Sequence, residues 1–210
     1  MNVGAPILDV VPGARGQVLL ALCQSMRGAS GREIARRAGL PASTTSGVLA
    51  DLVESGIVLH ELLANSYGYQ LNSKHVLADA IIDMAAAHVI LAKKIKEYVS
   101  EWAIQPTAGW LYGSTARGDG DRQSDVDLFF VWPASGFDDD AWDEQVGALI
   151  LQVNQLTGNY VQVAQHGIDT FLGLERDQSS FTANLRVEGI DLVDSSWRRI
   201  SQTRQTAPQA

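Results

Sequence analysis

Asp125 and Asp127 stand two positions apart at the head of the run Val126-Asp127-Leu128-Phe129-Phe130-Val131-Trp132. On a β-strand, side chains two apart share a face, so both carboxylates project together while Val126, Leu128 and Phe130 fill the other side. Two carboxylates on one face repel each other unless a cation sits between them. Hard divalent ions that keep waters and bridge phosphates, Mg²⁺ above all, suit such a pair. Upstream, the apolar Leu111-Tyr112 ends in Gly113-Ser114, and a polar, glycine-rich stretch leads from Thr115 to Ser124. A Gly-Ser corner brings backbone N–H groups and a hydroxyl against phosphate oxygens. Arg117 offers a charged contact to the same group, and Ser124 is placed to orient the carboxylate strand. The chemistry of this set is the binding of a metal-chelated nucleoside triphosphate.

Gly113-Ser114, ten residues, then Asp125-x-Asp127 resembles the signature of the polymerase-β-like nucleotidyltransferases, in particular the minimal, antitoxin-type group. Ala116-Arg117-Gly118 and Ser124-Asp125-Val126-Asp127-Leu128 match as well. The resemblance implies a small mixed sheet backed by helices. It also implies transfer of a nucleoside monophosphate, AMP as first choice, from an Mg²⁺-bound triphosphate, with two metal ions if the site is active. Asp125 and Asp127 would be the catalytic metal ligands, and Gly113, Ser114 and Arg117 would hold the β- and γ-phosphates. The acceptor would be a hydroxyl on a partner toxin or a small molecule. The family takes a third carboxylate from the neighbouring strand, and the matching position here, in Tyr160-Val161-Gln162-Val163-Ala164, is Gln162. A glutamine carries no charge and cannot act as a base. Asp169, Glu175 or Asp177 could substitute, though spacing singles out none. Two readings stand: a nucleotidyltransferase coupled to a DNA-binding domain, or a DNA-binding transcriptional regulator whose nucleotide module is inactive or nucleotide-sensing.

The chain around this motif has 210 residues and a formal net charge of −8, enough for two modules with real cores. The acidic balance excludes a globally basic nucleic-acid binder. A single cysteine, Cys23, excludes an internal disulfide. With no bilayer-length apolar run and no leader pattern, the expectation is a cytoplasmic protein. Charge is unevenly spread. Up to Asn72, Arg15, Arg27, Arg32, Arg36 and Arg37 balance Asp9, Glu33, Asp51, Glu54 and Glu61, whereas the excess acid falls beyond residue 100.

The balanced part, residues 1–72, reads as a helix from about Arg15 to Met26, then one capped by Ser30 with Glu33 at the capping-box position, then one from about Ala42 to Ser55 ending at Gly56. A hairpin follows over 57–62 and 67–71, turning at Ala64-Asn65-Ser66. This order, with Glu33-Ile34-Ala35-Arg36-Arg37-Ala38-Gly39-Leu40, is similar to the winged helix-turn-helix family. In its DNA-reading form the third helix enters the major groove. Ser43, Thr44, Thr45 and Ser46 would then meet bases and phosphates, with Arg36 and Arg37 on the backbone. The hairpin has no Lys or Arg and the module is charge-neutral, so a protein-interaction winged helix stays open as the alternative.

Residues 73–102 read as a long connecting helix on which Leu77, Ile81, Met84, His88, Leu91, Ile95, Tyr98 and Trp102 form a heptad-like seam. That seam could join two subunits as a homodimer over residues 77–102 or pack within the chain, with His88 a packed core residue. Residues 103–196 form the nucleotidyltransferase-like module: strands at Trp110–Tyr112, Val126–Trp132 and Tyr160–Ala164, and a helix from Ala141 to about Leu156. A further helix spans Phe181–Val187, and Ile190–Val193 is a last extended piece. Asp138-Asp139-Asp140 suits the positive end of the helix it precedes rather than a metal. No histidine pair has ligand spacing, and residues 197–210 are a polar tail. The fold class is α+β.

Overall fold

The computed structural model describes residues 1–25, 28–63, 66–132, 138–194, 196–198 and 200; Met26, the hairpin turn at Ala64-Asn65 and nearly all of the polar tail lie outside them. The chain divides into two compact units, Ala5–Ala87, and Met1–Gly4 together with His88–Ala210. Among the described residues no helix is long and apolar enough to cross a membrane.

In the first unit, a short α1 (Ile7–Val10) lies between Pro6 and Pro12, and α2 (Ala14–Cys23) follows. Two-residue β1 (Ala29–Ser30) leads into α3 (Gly31–Ala38). The Ser30 hydroxyl accepts the Glu33 backbone N–H at 3.3 Å, and Gly39 in the left-handed region stops the helix. Pro41 restarts the chain as α4 (Ala42–Glu54). Strands β2 (Val58–Leu63) and β3 (Ser66–Leu71) pair antiparallel, and β1 adds to the free edge of β3. Val18, Leu22, Ile34, Leu49, Leu52 and Val58 form one core, to which α5 (Ala78–Ala85) contributes Ile81 and Met84. This is the winged-helix order expected from sequence.

The single long helix expected over 73–102 is instead two. Ala86 leaves helical geometry (φ −103°, ψ 20°) between α5 and α6 (Ala87–Ser100). Ile81 and Met84 pack in the first unit, whereas Leu91, Ile95, Tyr98 and Trp102 pack in the second. Apart from the exposed Leu77, the stripe thus serves two separate cores and is not one continuous helical seam. The physical cause is local: Ala85-Ala86-Ala87 carries little apolar area to hold the stripe together, while the residues on either side have cores to fill.

The second unit is built on a four-stranded sheet in the order β6-β5-β4-β7. Its elements after α6 are β4 (Ala108–Tyr112), α7 (Gly113–Arg117), β5 (Val126–Trp132), α8 (Asp139–Thr157), β6 (Val161–Gly167), α9 (Ile168–Arg176), α10 (Ser180–Glu188) and β7 (Ile190–Asp191). β4 pairs antiparallel with both β5 and β7, while β5 and β6, joined by the α8 crossover, run parallel. Asp138 caps α8 by accepting the N–H groups of Asp140 and Ala141, the helix-start role expected of the acidic run. Leu111, Val126, Leu128 and Phe130 pack on one face with residues of α6 and α8. On the other face Trp110, Phe129 and Val131 pack with Ile168, Phe171 and Leu185 of α9 and α10. With both faces covered, side chains reach solvent at the strand ends.

Candidate functional site

β4 runs out where β5 begins. Their register pairs Tyr112 with Asp127, so the chain leaving β4 turns beside the first carboxylate-bearing residue of β5. Gly113 makes that turn at φ +70°, and a Cβ there would meet Asp127 Oδ2 at 2.5 Å. Only glycine lets the corner and the carboxylate lie in contact. The corner opens directly into the short helix α7 rather than into an irregular loop. The buried Thr115 hydroxyl donates to the Asp125 carbonyl at 2.9 Å, fastening α7 to the start of β5.

The connection back to Asp125 is tightly hydrogen-bonded. Ser124 Oγ accepts the Asp121 N–H at 2.8 Å and donates to Asp121 Oδ1 at 3.1 Å. The Gln123 N–H first, and the Ser124 hydroxyl second, hold the Asp121 carboxyl below its ordinary range. A Cβ on Gly120 would meet Ser124 Oγ at 2.8 Å and Ser114 Oγ at 2.9 Å, so both hydroxyls lie against that glycine. Buried Asn159 donates to the Ser124 carbonyl at 2.9 Å.

Parallel pairing of β5 with β6 sets Gln162 beside Asp127, the position expected for the missing third carboxylate. Its amide donates through Nε2 to Asp125 Oδ2 at 2.5 Å. A side-chain amide thus lies against one carboxylate where a cation would be drawn. Burial first, and the charge of Asp125 second, push the Asp127 carboxyl above its ordinary value, and Arg117 opposes them. The Tyr112 phenol is raised by burial and then by Asp127. Like charge therefore accumulates at the head of β5.

Arg117 is already engaged. It donates to Asp119 at 3.0 Å and to Glu188 of α10 at 2.8 Å, which hold it firmly cationic. To meet a phosphate it must exchange these carboxylates for phosphate oxygens. Asp169 lies in the first turn of α9, at the strand end away from Gln162, and Glu175 is bound to Arg186. Among the described residues no group of three or more His, Cys, Asp and Glu side chains forms a metal site. The two carboxylates suit one hard divalent cation; Gln162, which turns its amide N–H toward Asp125, adds no third carboxylate for a second.

In the first unit, Arg36 and Arg37 both close on Glu33, at 2.7 Å each, and Arg37 also reaches the Gln24 carbonyl. Those two guanidinium hydrogen bonds hold the Glu33 carboxyl down at about 2. Ser43, Thr44 and Ser46 are exposed on the first turns of α4. Thr45 is not: it is 1% exposed and donates to the Pro41 carbonyl at 3.1 Å, which removes it from a DNA-facing set. Thr115, Asn159, Glu188 and Tyr112 are site residues that the sequence reading misses. Thr115 follows Ser114 directly and carries a signal in that position, whereas Asn159 and Glu188 meet the motif only through tertiary folding.

Residues 16–61 match the IclR helix-turn-helix domain, and residues 92–188 match the nucleotidyltransferase domain. No match was found among curated proteins. Similar solved structures include the following three. A predicted DNA-binding transcriptional regulator from E. coli is 24% identical, covering 40% of this chain and 83% of that one, with TM-score 0.31. A toxin–antitoxin with AMP-PNP is 18% identical, covering 54% and 87%, with TM-score 0.33. TrmBL2, an archaeal chromatin protein, is 12% identical, covering 90% and 78%, with TM-score 0.29. These distant likenesses add nothing to the two domain matches, which agree with the order of elements and the corner-and-carboxylate geometry: the chain carries an IclR-type helix-turn-helix domain followed by a nucleotidyltransferase domain.

Proposed function

We propose that the second unit binds a nucleoside triphosphate with Mg²⁺ at Asp125 and Asp127 and transfers its nucleoside monophosphate, AMP as first choice, to an acceptor hydroxyl. The helix-turn-helix unit binds DNA through Arg36, Arg37, Ser43, Thr44 and Ser46. The observation that carries the reading is the close contact between the Gly113 corner and Asp127, which sets a turn of the kind that suits phosphate oxygens beside the paired carboxylates.

When bound, the cation neutralises the triphosphate and the charge that develops on it. Asp125 and Asp127 would hold that cation, and Gly113, Ser114 and a released Arg117 take the β- and γ-phosphates. The acceptor oxygen forms a bond to the α-phosphorus, the bridging oxygen of pyrophosphate leaves with the bonding pair, and the acceptor proton passes to water, since Gln162 cannot receive it. A hydroxyl on a partner protein, such as a cognate toxin, is the acceptor class we favour.

The Gln162–Asp125 hydrogen bond favours a second reading, in which the domain senses a nucleotide without turning it over. Incubation of the full chain with each α-³²P-labelled nucleoside triphosphate, Mg²⁺ and lysate separates the two. Labelling of a protein, lost in Asp125→Ala/Asp127→Ala, supports transfer. Saturable Mg²⁺-dependent binding without labelling supports sensing. Failure to bind any of the four nucleotides sinks both.

A further inference from the structure

The chain passes between its two units twice, at Gly4–Ala5 and at Ala87–His88. On the nucleotidyltransferase side, both passages end on the same three residues, Gly118-Asp119-Gly120. Gly4 donates its N–H to the Gly120 carbonyl at 2.6 Å, and a Cβ on Gly4 would meet that carbonyl at 2.7 Å and the Gly118 carbonyl at 3.2 Å. His88 lies over Gly118 from another side: a Cβ on Gly118 would meet its Nε2 at 2.9 Å and two ring carbons at 3.2 Å. Burial favours the neutral imidazole, and its Nδ1 is buried without a partner, so the ring is placed by packing rather than by a polar anchor.

The same three residues touch the candidate site. The Ser114 and Ser124 hydroxyls lie against Gly120, the Asp119 N–H donates to the Ser114 carbonyl at 3.2 Å, and Arg117 binds the Asp119 carboxylate. A displacement of this segment therefore moves the Ser114 hydroxyl and frees or traps Arg117. Glycine at 118 and 120 lets these neighbours approach so closely that they must move with the segment.

We propose that Gly118–Gly120 is the coupling element of the protein: nucleotide held by Ser114 and Arg117 biases its position, and the two chain passages carry that bias to the helix-turn-helix unit. The inference rests on the reading of the site as a nucleotide site. By reciprocity, whatever occupies residues 5–87 changes nucleotide affinity by the same factor. The warrant is covalent connection and steric contact at one segment.

The test is hydrogen–deuterium exchange on the full chain with Mg²⁺ and the α,β-methylene analogues of the four nucleoside triphosphates. A bound analogue is expected to protect residues 113–127 and to change exchange within 5–87 by about fivefold or more, the lower end of ordinary allosteric coupling. A variant with short Gly-Ser insertions between Gly4 and Ala5 and between Ala86 and Ala87 is expected to keep the first effect and lose the second. Gly4→Pro, which removes the N–H bound to Gly120, is expected to weaken the second in a chain of natural length. Protection of 113–127 with residues 5–87 unmoved overturns the coupling while leaving the nucleotide site intact. A change in 5–87 that survives the insertions overturns the chain passages as its route. Absence of protection anywhere removes the nucleotide site itself, and the coupling with it.

Discussion

Gln162→Glu tests the electrostatics of the site most directly. The amide nitrogen of Gln162 lies 2.5 Å from Asp125 Oδ2, so a glutamate of equal length puts a third negative group within reach of the two aspartates. Two unit charges about 4 Å apart interact by ~1 kcal/mol in water, and a divalent cation doubles that to roughly 2 kcal/mol. Because the site is open to solvent, the water-like figure is a floor. The natural protein must also give up its amide–carboxylate hydrogen bond, a charged one worth roughly 1.5 kcal/mol, when a cation arrives at Asp125. The variant has no such bond to lose. Both effects have the same sign and together come to about 3.5 kcal/mol, so Mg²⁺ affinity should rise by about 300-fold, at 1.4 kcal/mol per decade. Calorimetric Mg²⁺ titration and electron paramagnetic resonance with Mn²⁺ read this without any need for turnover. Gln162→Ala, which removes the amide and adds no charge, should give a smaller gain. An unchanged or weaker affinity in Gln162→Glu would refute the placing of the cation between these strands.

Asp127→Asn should raise the thermal midpoint in metal-free buffer at neutral pH, because it removes a half-buried charge beside Asp125. Since the folded carboxyl is raised above its reference of 3.8, its cost is absent below that pH and sets in as pH rises through and just beyond it. The advantage of the variant should therefore vanish in acid, which a melting series from pH 3 to 7 measures. Gly113→Ala should cost about 1–2 kcal/mol from left-handed geometry alone and further disturb Asp127, as urea unfolding and Mg²⁺ titration would show. Glu33→Gln releases Arg36 and leaves Arg37 tied only to the Gln24 carbonyl, so binding to duplex DNA should strengthen. The slope of log affinity against log salt should steepen by about 0.9 for each added phosphate contact. Thr45→Ala should lower stability and Thr44→Ala should leave it unchanged while weakening a DNA gel shift.

β5 is legible in the sequence because alternation along one strand separates Asp125 and Asp127 from Val126, Leu128 and Phe130 whatever else the chain does. The placing of Gln162 is legible for the same reason, since two parallel strands in register bring their polar positions side by side. Thr45 is misplaced by the sequence reading although the signal is present: it lies four residues before Leu49 and seven before Leu52, on the inward stripe of α4. The break at Ala86 is hidden because a heptad pattern records which residues seek burial and not which core receives them. Helix α7, at five residues, is too short for periodicity to reveal. The ties of Arg117 to Glu188 and of Asn159 to Ser124 span 71 and 35 residues, distances at which spacing carries no information.

The bond from Asn159 to the Met1 carbonyl joins residues 158 positions apart, and this has a consequence for biosynthesis. At ribosomal speeds of about 5–20 residues per second, residues 1–4 wait roughly 8 to 30 s for their partners to emerge. The helix-turn-helix core, confined to residues 5–87, can close during that interval. During translation the two domains thus mature in sequence, and a chain stalled between them would present a finished helix-turn-helix half whose leading residues still await the nucleotidyltransferase half.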